Sequence, residues 1–229
     1  TIHAEITKKG FEGNLLVCST LIDMYSKFGL LRTARGLFDK LKVRDIVSWT
    51  TLLSGYAEYG YSKEALECLK QMQNEGIFLN EITFVWILKA CCNSRDAIMG
   101  QESHANITKM GLEREVLIGN TLVDLYAKCG LFEDAKGVFE KLPVRDIVSW
   151  NALIAGFAQQ GHGLEALDSF RRMQSEGISP NVVTFSSILK ACSSMGDIGR
   201  GQQIHEEISS KGFLKEEVVL GTSLVDMYA

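Results

Sequence analysis

The chain has 229 residues, of which 46% are hydrophobic and 23% are charged, and it contains two prolines and 21 glycines. This composition excludes collagen-like and disordered classes. No apolar run approaches the roughly 18 residues that cross a bilayer, so we expect a soluble, folded protein without a membrane partner. The formal net charge of -4 weighs against a nucleic-acid partner, because phosphate contacts normally require an excess of Lys and Arg.

A period of 101 residues runs through the chain. Residues 21–25 (LIDMY) recur with small changes as 122–126 and 224–228, and residues 43–49 (VRDIVSW) recur unchanged as 144–150. Because the chain begins without a targeting peptide and stops inside one of these patterns, we expect it to be a fragment of a longer protein.

Within each period, apolar spacing and glycines predict pairs of helices. In residues 46–80 one apolar face consists of Trp49, Leu52, Leu53 and Tyr56, and after a break at Gly60 a second face consists of Ala65, Leu66, Leu69 and Met72. The same plan predicts helix-turn-helix motifs at 15–45, 46–80, 81–115, 116–146, 147–181 and 182–217, with partial motifs at 1–14 and 218–229. One hairpin cannot bury its own apolar faces, so neighbouring hairpins must stack.

The unit 147–181 resembles a pentatricopeptide repeat, and the alternation of 31, 35 and 35 or 36 residues resembles the plant subclass with short, standard and long motifs. Tetratricopeptide repeats fit less well, because their period is uniformly about 34 residues. The resemblance covers essentially the whole chain. The predicted fold class is all-α, a single right-handed superhelical α-solenoid of stacked helix-turn-helix hairpins over residues 1–229.

The resemblance implies sequence-specific binding of single-stranded RNA, one base per motif, in a chloroplast or mitochondrion. It further implies a role like that of organellar RNA-editing factors, in which the array positions a cytidine deaminase domain outside this fragment for C-to-U editing. The implied partners are single-stranded RNA and editing-complex proteins. The rival hypothesis from another class is a protein-protein interaction scaffold, which the negative net charge favours.

In the family, the fifth and the last residue of a motif contact the base edge, and we call these two residues a reading pair. The pairs here are Ser19 with Asp45, Thr50 with Asn80, Asn120 with Asp146, and Asn151 with Asn181, which the family's pattern reads as G, A, U and a pyrimidine. The long motifs pair Val85 with Glu115 and Ser186 with Glu217, which are not recognised combinations. The implied target is 5'-G-A-x-U-Y-x-3'.

Structural interpretations compete with these roles. The last residues, Asn14, Asp45, Asn80, Asp146 and Asn181, are also favoured helix N-caps. The fifth residues, Ser19, Thr50, Asn120, Asn151, Ser186 and Thr222, are mediocre helix formers, which favours a functional face. The second residues, Leu16, Val47, Ile82, Leu117, Val148, Val183 and Val219, either hold a base from both sides or pack in the core.

Two lysines and two tryptophans also have both a functional and a structural interpretation. Lys27 and Lys128 occupy equivalent places near a helix end, where family members contact phosphate and where a solvated Lys is equally common. Trp49 and Trp150 are able to stack on bases, but their apolar companions at helical spacing favour core packing.

No catalytic or metal site is predicted. His3, His104 and His205 lie 101 residues apart, so they belong to the repeat, although two of them match the H-x-E half of a zinc deaminase signature whose P-C-x-x-C half is absent. The six cysteines lack zinc-site spacing, so we expect buried thiols in a reducing compartment. We therefore expect a fragment that is not an enzyme and needs no cofactor.

Overall fold

The computed structural model describes residues 2–11, 14–213 and 218–229. These described residues form helices and turns without a β-strand. The helices are α1 (Ile2–Lys8), α2 (Leu15–Lys27), α3 (Leu31–Asp39), α4 (Ile46–Glu58), α5 (Ser62–Asn74), α6 (Glu81–Ser94), α7 (Ala97–Lys109), α8 (Val116–Lys128), α9 (Phe132–Lys141), α10 (Ile147–Gln159), α11 (Gly163–Ser175), α12 (Val182–Met195), α13 (Ile198–Ser210) and α14 (Val218–Tyr228).

Glycines in the left-handed region close the hairpins. Gly60 has a φ of 70°, and the amide of the next residue, Tyr61, returns to the carbonyl oxygen of Tyr56 at 2.9 Å. This is the αL helix ending that glycine adopts without steric cost. One period later Gly161 makes the same turn with a φ of 80°. The turn after α6 differs, since Arg95 adopts a φ of 53° where the later copy has Gly196.

The chain divides into two compact units, residues 1–118 and 119–229. In the first unit α4 contacts both α2 and α6, which are the first helices of the neighbouring hairpins. Trp49 and Phe38 are fully buried, and their rings pack edge to face with centroids 4.4 Å apart. The core interpretation of Trp49 is therefore confirmed.

In the second unit α12 contacts both α10 and α14. Trp150 is fully buried and packs edge to face on Phe139 at 4.6 Å, so its core role is confirmed as well. Both units are stacks of helical hairpins, which confirms the predicted all-α solenoid class. The motif boundaries themselves stay a prediction.

The expected buried thiols are found at Cys18, Cys68, Cys91, Cys92 and Cys192.

Close helix approach explains a glycine in the middle of a first helix. A Cβ on Gly156 of α10 would lie 2.2 Å from the Cβ of Ala127 in α8. A methyl contact normally needs about 3.5–4.0 Å, so only glycine permits this spacing. In the first unit, a Cβ on Gly55 would likewise lie 2.6 Å from the side chain of Ser26.

Charged side chains tie successive second helices together in the second unit. Arg172 of α11 pairs with Glu140 of α9, with 3.1 Å between Nη2 and Oε2, and with Glu176 at 3.0 Å. Its guanidinium also lies 5.5 Å from the centre of the Trp150 ring. The hydrogen bond from Arg172 holds the pKa of Glu140 below its ordinary value. These contacts place a charge network beside the buried ring of Trp150.

Candidate functional site

The last residues of the predicted motifs cap the helices that follow. Their side-chain oxygens accept a hydrogen bond from the backbone N–H three residues on, at 2.8–3.2 Å. The capping residues are Asn14, Asp45, Asn80, Asp146 and Asn181. The capping interpretation is thus confirmed, and it leaves open a second role for the same side chains.

Two of the four reading pairs are in direct contact. Asn120 Nδ2 donates to Asp146 Oδ1 at 3.2 Å, and Asn151 Nδ2 donates to Asn181 Oδ1 at 3.1 Å. The paired residues are 26 and 30 positions apart in the chain. In these two motifs, folding therefore brings the fifth residue into contact with the last residue.

The first two reading pairs are arranged differently. The hydroxyl of Thr50 donates to the carbonyl oxygen of Ile46 at 2.8 Å, which satisfies it within its own helix. Among the described residues no hydrogen bond joins Thr50 to Asn80 or Ser19 to Asp45. All four of these side chains are partly exposed.

The long motifs depart from this arrangement. Val85 is buried and Glu115 is exposed, so these two residues do not present one polar edge. Ser186 shares a hydrogen bond of 2.8 Å with Ser223 in the next first helix, and its predicted partner Glu217 lies outside the described residues. Thr222 is exposed and donates to the carbonyl oxygen of Val218 at 3.2 Å.

The second-position aliphatic side chains are all exposed, with 41% to 77% of their surface accessible. They are Leu16, Val47, Ile82, Leu117, Val148, Val183 and Val219. Core packing, the competing interpretation, does not account for side chains left in solvent. Single exposed apolar residues are common on protein surfaces and need no explanation. An exposed aliphatic residue at the same position of every motif does need one.

Hydrogen bonds set the charge of Asp146. Burial alone would raise the pKa of this carboxyl group, but donors from the Ser149 backbone, the Ser149 hydroxyl and Asn120 outweigh it and lower the pKa. Asp146 is therefore an anion at neutral pH. Its partner Asn120 is 7% exposed, and Asn120 Oδ1 is buried without a hydrogen-bond partner among the described residues.

Both candidate phosphate-binding lysines are paired with an Asp one turn earlier. Lys27 Nζ lies 2.7 Å from Asp23 Oδ2, and Lys128 Nζ lies 2.9 Å from Asp124 Oδ2. The hydrogen bond that Lys27 donates to Asp23 raises the pKa of Lys27. Each positive charge is thus balanced locally, which weakens its attraction for a phosphate.

Models of the pentatricopeptide repeat match residues 16–46, 44–93, 120–147, 145–194 and 183–213. The chain belongs to the pentatricopeptide repeat family. A chloroplastic pentatricopeptide repeat-containing protein of Arabidopsis thaliana is 39% identical over 228 residues, which cover 100% of this chain and 37% of that protein. A mitochondrial one from the same plant is 37% identical over 228 residues, covering 100% of this chain and 22% of that protein.

This pentatricopeptide repeat chain thus spans less than two fifths of the length of those relatives. Among solved structures, the nuclear protein-only RNase P 2 of Arabidopsis thaliana matches 70% of this chain and 37% of its own chain, with a TM-score of 0.54 at 14% identity. That likeness concerns the fold alone, and it agrees with the stacked hairpins of each unit.

The repeat also explains two of its histidines. His3 Nδ1 lies 2.6 Å from the hydroxyl oxygen of Tyr25, and His205 Nδ1 lies 3.0 Å from that of Tyr228. Each His therefore links one helix to the first helix of the next repeat. Within residues 2–11, 14–213 and 218–229, no three His, Cys, Asp or Glu side chains form a group suited to a metal ion.

None of the helices in the described ranges combines the length and the apolarity that a membrane-spanning segment needs.

The hydrogen bonds that the hydroxyls of Ser149 and Thr184 make with the reading pairs were not predicted from the sequence. The signal was present, because D-x-x-S and N-x-x-T are capping-box patterns.

Proposed function

We propose that this chain binds single-stranded RNA sequence-specifically, with one base per motif, and that the bound RNA is an organellar transcript. The observation that carries the proposal is the contact between fifth and last residues in the motifs 116–146 and 147–181. The first pair offers an amide and a carboxylate, and the second pair offers two amides. Such groups are suited to the hydrogen-bonding edges of unpaired bases. The target word remains 5'-G-A-x-U-Y-x-3'.

The exposed second-position side chains complete each base site. In an array of stacked first helices, an aliphatic side chain of one motif and that of the next flank the space above a reading pair. A base entering that space would cover Val148 on one side and Val183 on the other, at about 25 cal/mol for each Å² of apolar surface removed from water. The reading pair then selects the base by its polar edge.

The motif 116–146 fits uracil. Asn120 Oδ1 has no hydrogen-bond partner in the described part of the chain, and an unsatisfied buried acceptor costs about 1–3 kcal/mol. Uracil carries an N–H at N3, whereas cytosine has only an acceptor there. A small rotation of the Asn120 side chain would bring its Oδ1 to that N–H, so uracil satisfies the acceptor and cytosine does not.

The test of this proposal is RNA selection with one matched pair of variants. The wild-type chain is expected to enrich the word above from a randomised single-stranded pool. Replacing the amide in Asn120→Thr is expected to move the preference at one base from U toward G. The control Asn74→Thr changes an exposed residue at the end of α5, outside every reading pair, and is expected to leave the enriched word unchanged.

Enrichment of an unrelated word, or an unchanged base in Asn120→Thr, contradicts the proposed reading. The absence of any enrichment favours the second candidate function, a protein-protein interaction scaffold. The observations that favour this alternative are the net charge of -4 and the pairing of Lys27 and Lys128 with acidic neighbours. Affinity purification from an organelle extract treated with RNase would then recover the same proteins as from an untreated extract.

We further propose that the array belongs to the subclass with short, standard and long motifs and addresses a deaminase, lying outside these residues, to a cytidine. The alternating motif lengths and the chloroplastic and mitochondrial names of the relatives support this. The test is sequencing of organellar transcripts in plants lacking the full-length protein. Loss of C-to-U conversion downstream of the target word is expected, and unchanged editing everywhere would contradict the proposal.

A further inference from the structure

A buried hydroxyl follows each reading pair by three residues. It belongs to the third residue of the next first helix, and the residues are Ser48, Thr83, Ser149 and Thr184, all with no exposed surface. In every case this residue donates its backbone N–H to the capping side chain. The hydroxyls themselves donate to different hydrogen-bond acceptors. That difference affects which groups of the reading pair face a base.

Thr184 makes a contact that the other three do not. Its Oγ1 lies 2.6 Å from Asn151 Oδ1 and 3.0 Å from Asn181 Oδ1, and it accepts the Asn181 backbone N–H at 3.1 Å. A hydroxyl has a single hydrogen to donate. The shorter distance marks Asn151 Oδ1 as its acceptor, so Thr184 holds the fifth residue as well as the cap.

This contact fixes the orientation of the Asn151 amide. Asn151 Oδ1 is engaged by Thr184, and one hydrogen of Nδ2 is engaged by Asn181 Oδ1 at 3.1 Å. The second N–H of Nδ2 and one lone pair of Oδ1 remain. Asn151 therefore presents a donor, and a base that carries an acceptor at the matching place, such as N3 of cytosine, is well accommodated.

The preceding short motif has the same fifth residue without this restraint. There the Ser149 hydroxyl donates to Asp146 Oδ1 at 2.8 Å, and Asn120 Oδ1 has no partner among the described residues. An N–H of a base would therefore satisfy an unpaired oxygen in Asn120, whereas Asn151 Oδ1 already accepts a hydrogen bond from Thr184. Two motifs with asparagine at the fifth position thus differ in how much a hydrogen bond from a base N–H contributes.

We propose that Thr184 is a specificity-determining positioning residue, which turns the Asn151 amide so that the motif 147–181 accepts cytosine as readily as uracil. The inference rests on the proposed RNA binding. A residue of the next motif thus decides which hydrogen-bonding group of the Asn151 amide faces the RNA base.

The variant that tests this is Thr184→Val, which keeps the shape of the side chain and removes the hydroxyl. Without the hydroxyl, Asn151 Oδ1 loses its internal hydrogen bond, and the N3–H of uracil would then supply its partner. The ratio of affinities for U over C at the fifth nucleotide of the target is therefore expected to rise roughly three- to ten-fold, the effect of one neutral hydrogen bond. Competition binding with RNAs that differ only at that nucleotide measures the ratio.

Two control variants separate orientation from stability. Thr184→Ser keeps the hydroxyl and is expected to keep the wild-type ratio of affinities for U over C. Thr83→Val removes a capping hydroxyl that contacts Asn80 at 3.0 Å, so it is expected to cost similar stability and leave the ratio at the fifth nucleotide unchanged. A ratio that stays at the wild-type value in Thr184→Val, or one that moves equally in Thr83→Val, overturns the inference.

A measurement without RNA keeps the inference distinct from the proposed function. In protein labelled with ¹⁵N at asparagine, the Asn151 side-chain NH₂ signal is expected to shift in Thr184→Val and not in Thr83→Val. An unshifted signal overturns the orientation argument. If the wild-type chain binds no RNA, the proposed function and the specificity role fail together; if it binds and the ratio does not respond, only the inference fails.

Discussion

Replacing Gly156 by alanine tests the close approach of two first helices in the second unit. The new Cβ would lie 2.2 Å from the Ala127 Cβ and 3.2 Å from its Cα. Since methyl groups need about 3.5–4.0 Å, α10 and α8 would have to separate by roughly 1.5 Å. Neither neighbour is a flexible side-chain end, so rotamer changes cannot relieve the contact.

The magnitude follows from two opposing effects. Overpacking of this kind costs up to about 3 kcal/mol, and the better helix propensity of alanine returns about 1 kcal/mol. We therefore expect Gly156→Ala to lower the free energy of unfolding by about 2 kcal/mol. Because repeat arrays do not always unfold in two states, urea unfolding should be followed by both circular dichroism and tryptophan fluorescence.

A control of opposite sign is available in the same unit. Gly137 lies within α9, and a Cβ there would meet nothing within 4 Å. Gly137→Ala is therefore expected to stabilise the protein by about 0.5–1 kcal/mol. The double variant Gly156→Ala with Ala127→Gly removes the opposing methyl group and is expected to recover most of the loss. A Gly156→Ala protein as stable as wild type would refute the packing argument.

Two other substitutions probe the turn and the charge network. Arg95 adopts a left-handed conformation with a φ of 53°, where the later copy has Gly196. Arg95→Gly is therefore expected to raise the free energy of unfolding by up to about 1 kcal/mol. A lower midpoint of urea unfolding would contradict this. Glu140 has a lowered pKa because Arg172 donates to it, so its contribution is present above its ordinary pKa and is lost as the pH falls through the lowered value. Glu140→Gln is therefore expected to be less stable than wild type at pH 7 by about 0.5–1 kcal/mol, as for exposed ion pairs. The two proteins should converge as the pH falls below the lowered pKa of Glu140, and a difference independent of pH would show that the charge is not responsible.

Much of the fold was determined by local sequence. Apolar spacing at three and four residues fixes a helix and its buried face, and glycine at Gly60 or Gly161 fixes where the hairpin turns, because both effects act within a few residues. The caps at Asp45 and Asp146 were equally readable, since an N-cap bonds to an amide only three residues away. The burial of Trp49 followed from the same periodicity.

Two lysine–aspartate ion pairs are readable from the local sequence. Lys27 with Asp23 and Lys128 with Asp124 are separated by four residues on a helix, a spacing at which side chains meet. Their place near a helix end predicts phosphate contact or a solvated side chain. The structure shows that each is first of all the partner of an aspartate.

The candidate site was decided largely by tertiary structure. Whether Val148 and Leu16 belong to the core or to the surface depends on which neighbouring helix covers them, and helical periodicity alone left both outcomes open. The contact of Asn151 with Asn181 spans 30 residues, and that with Thr184 spans 33. Such partners are set by how hairpins stack, so the sequence named the reading pair but only the folded chain shows which side of its amide is left for a base.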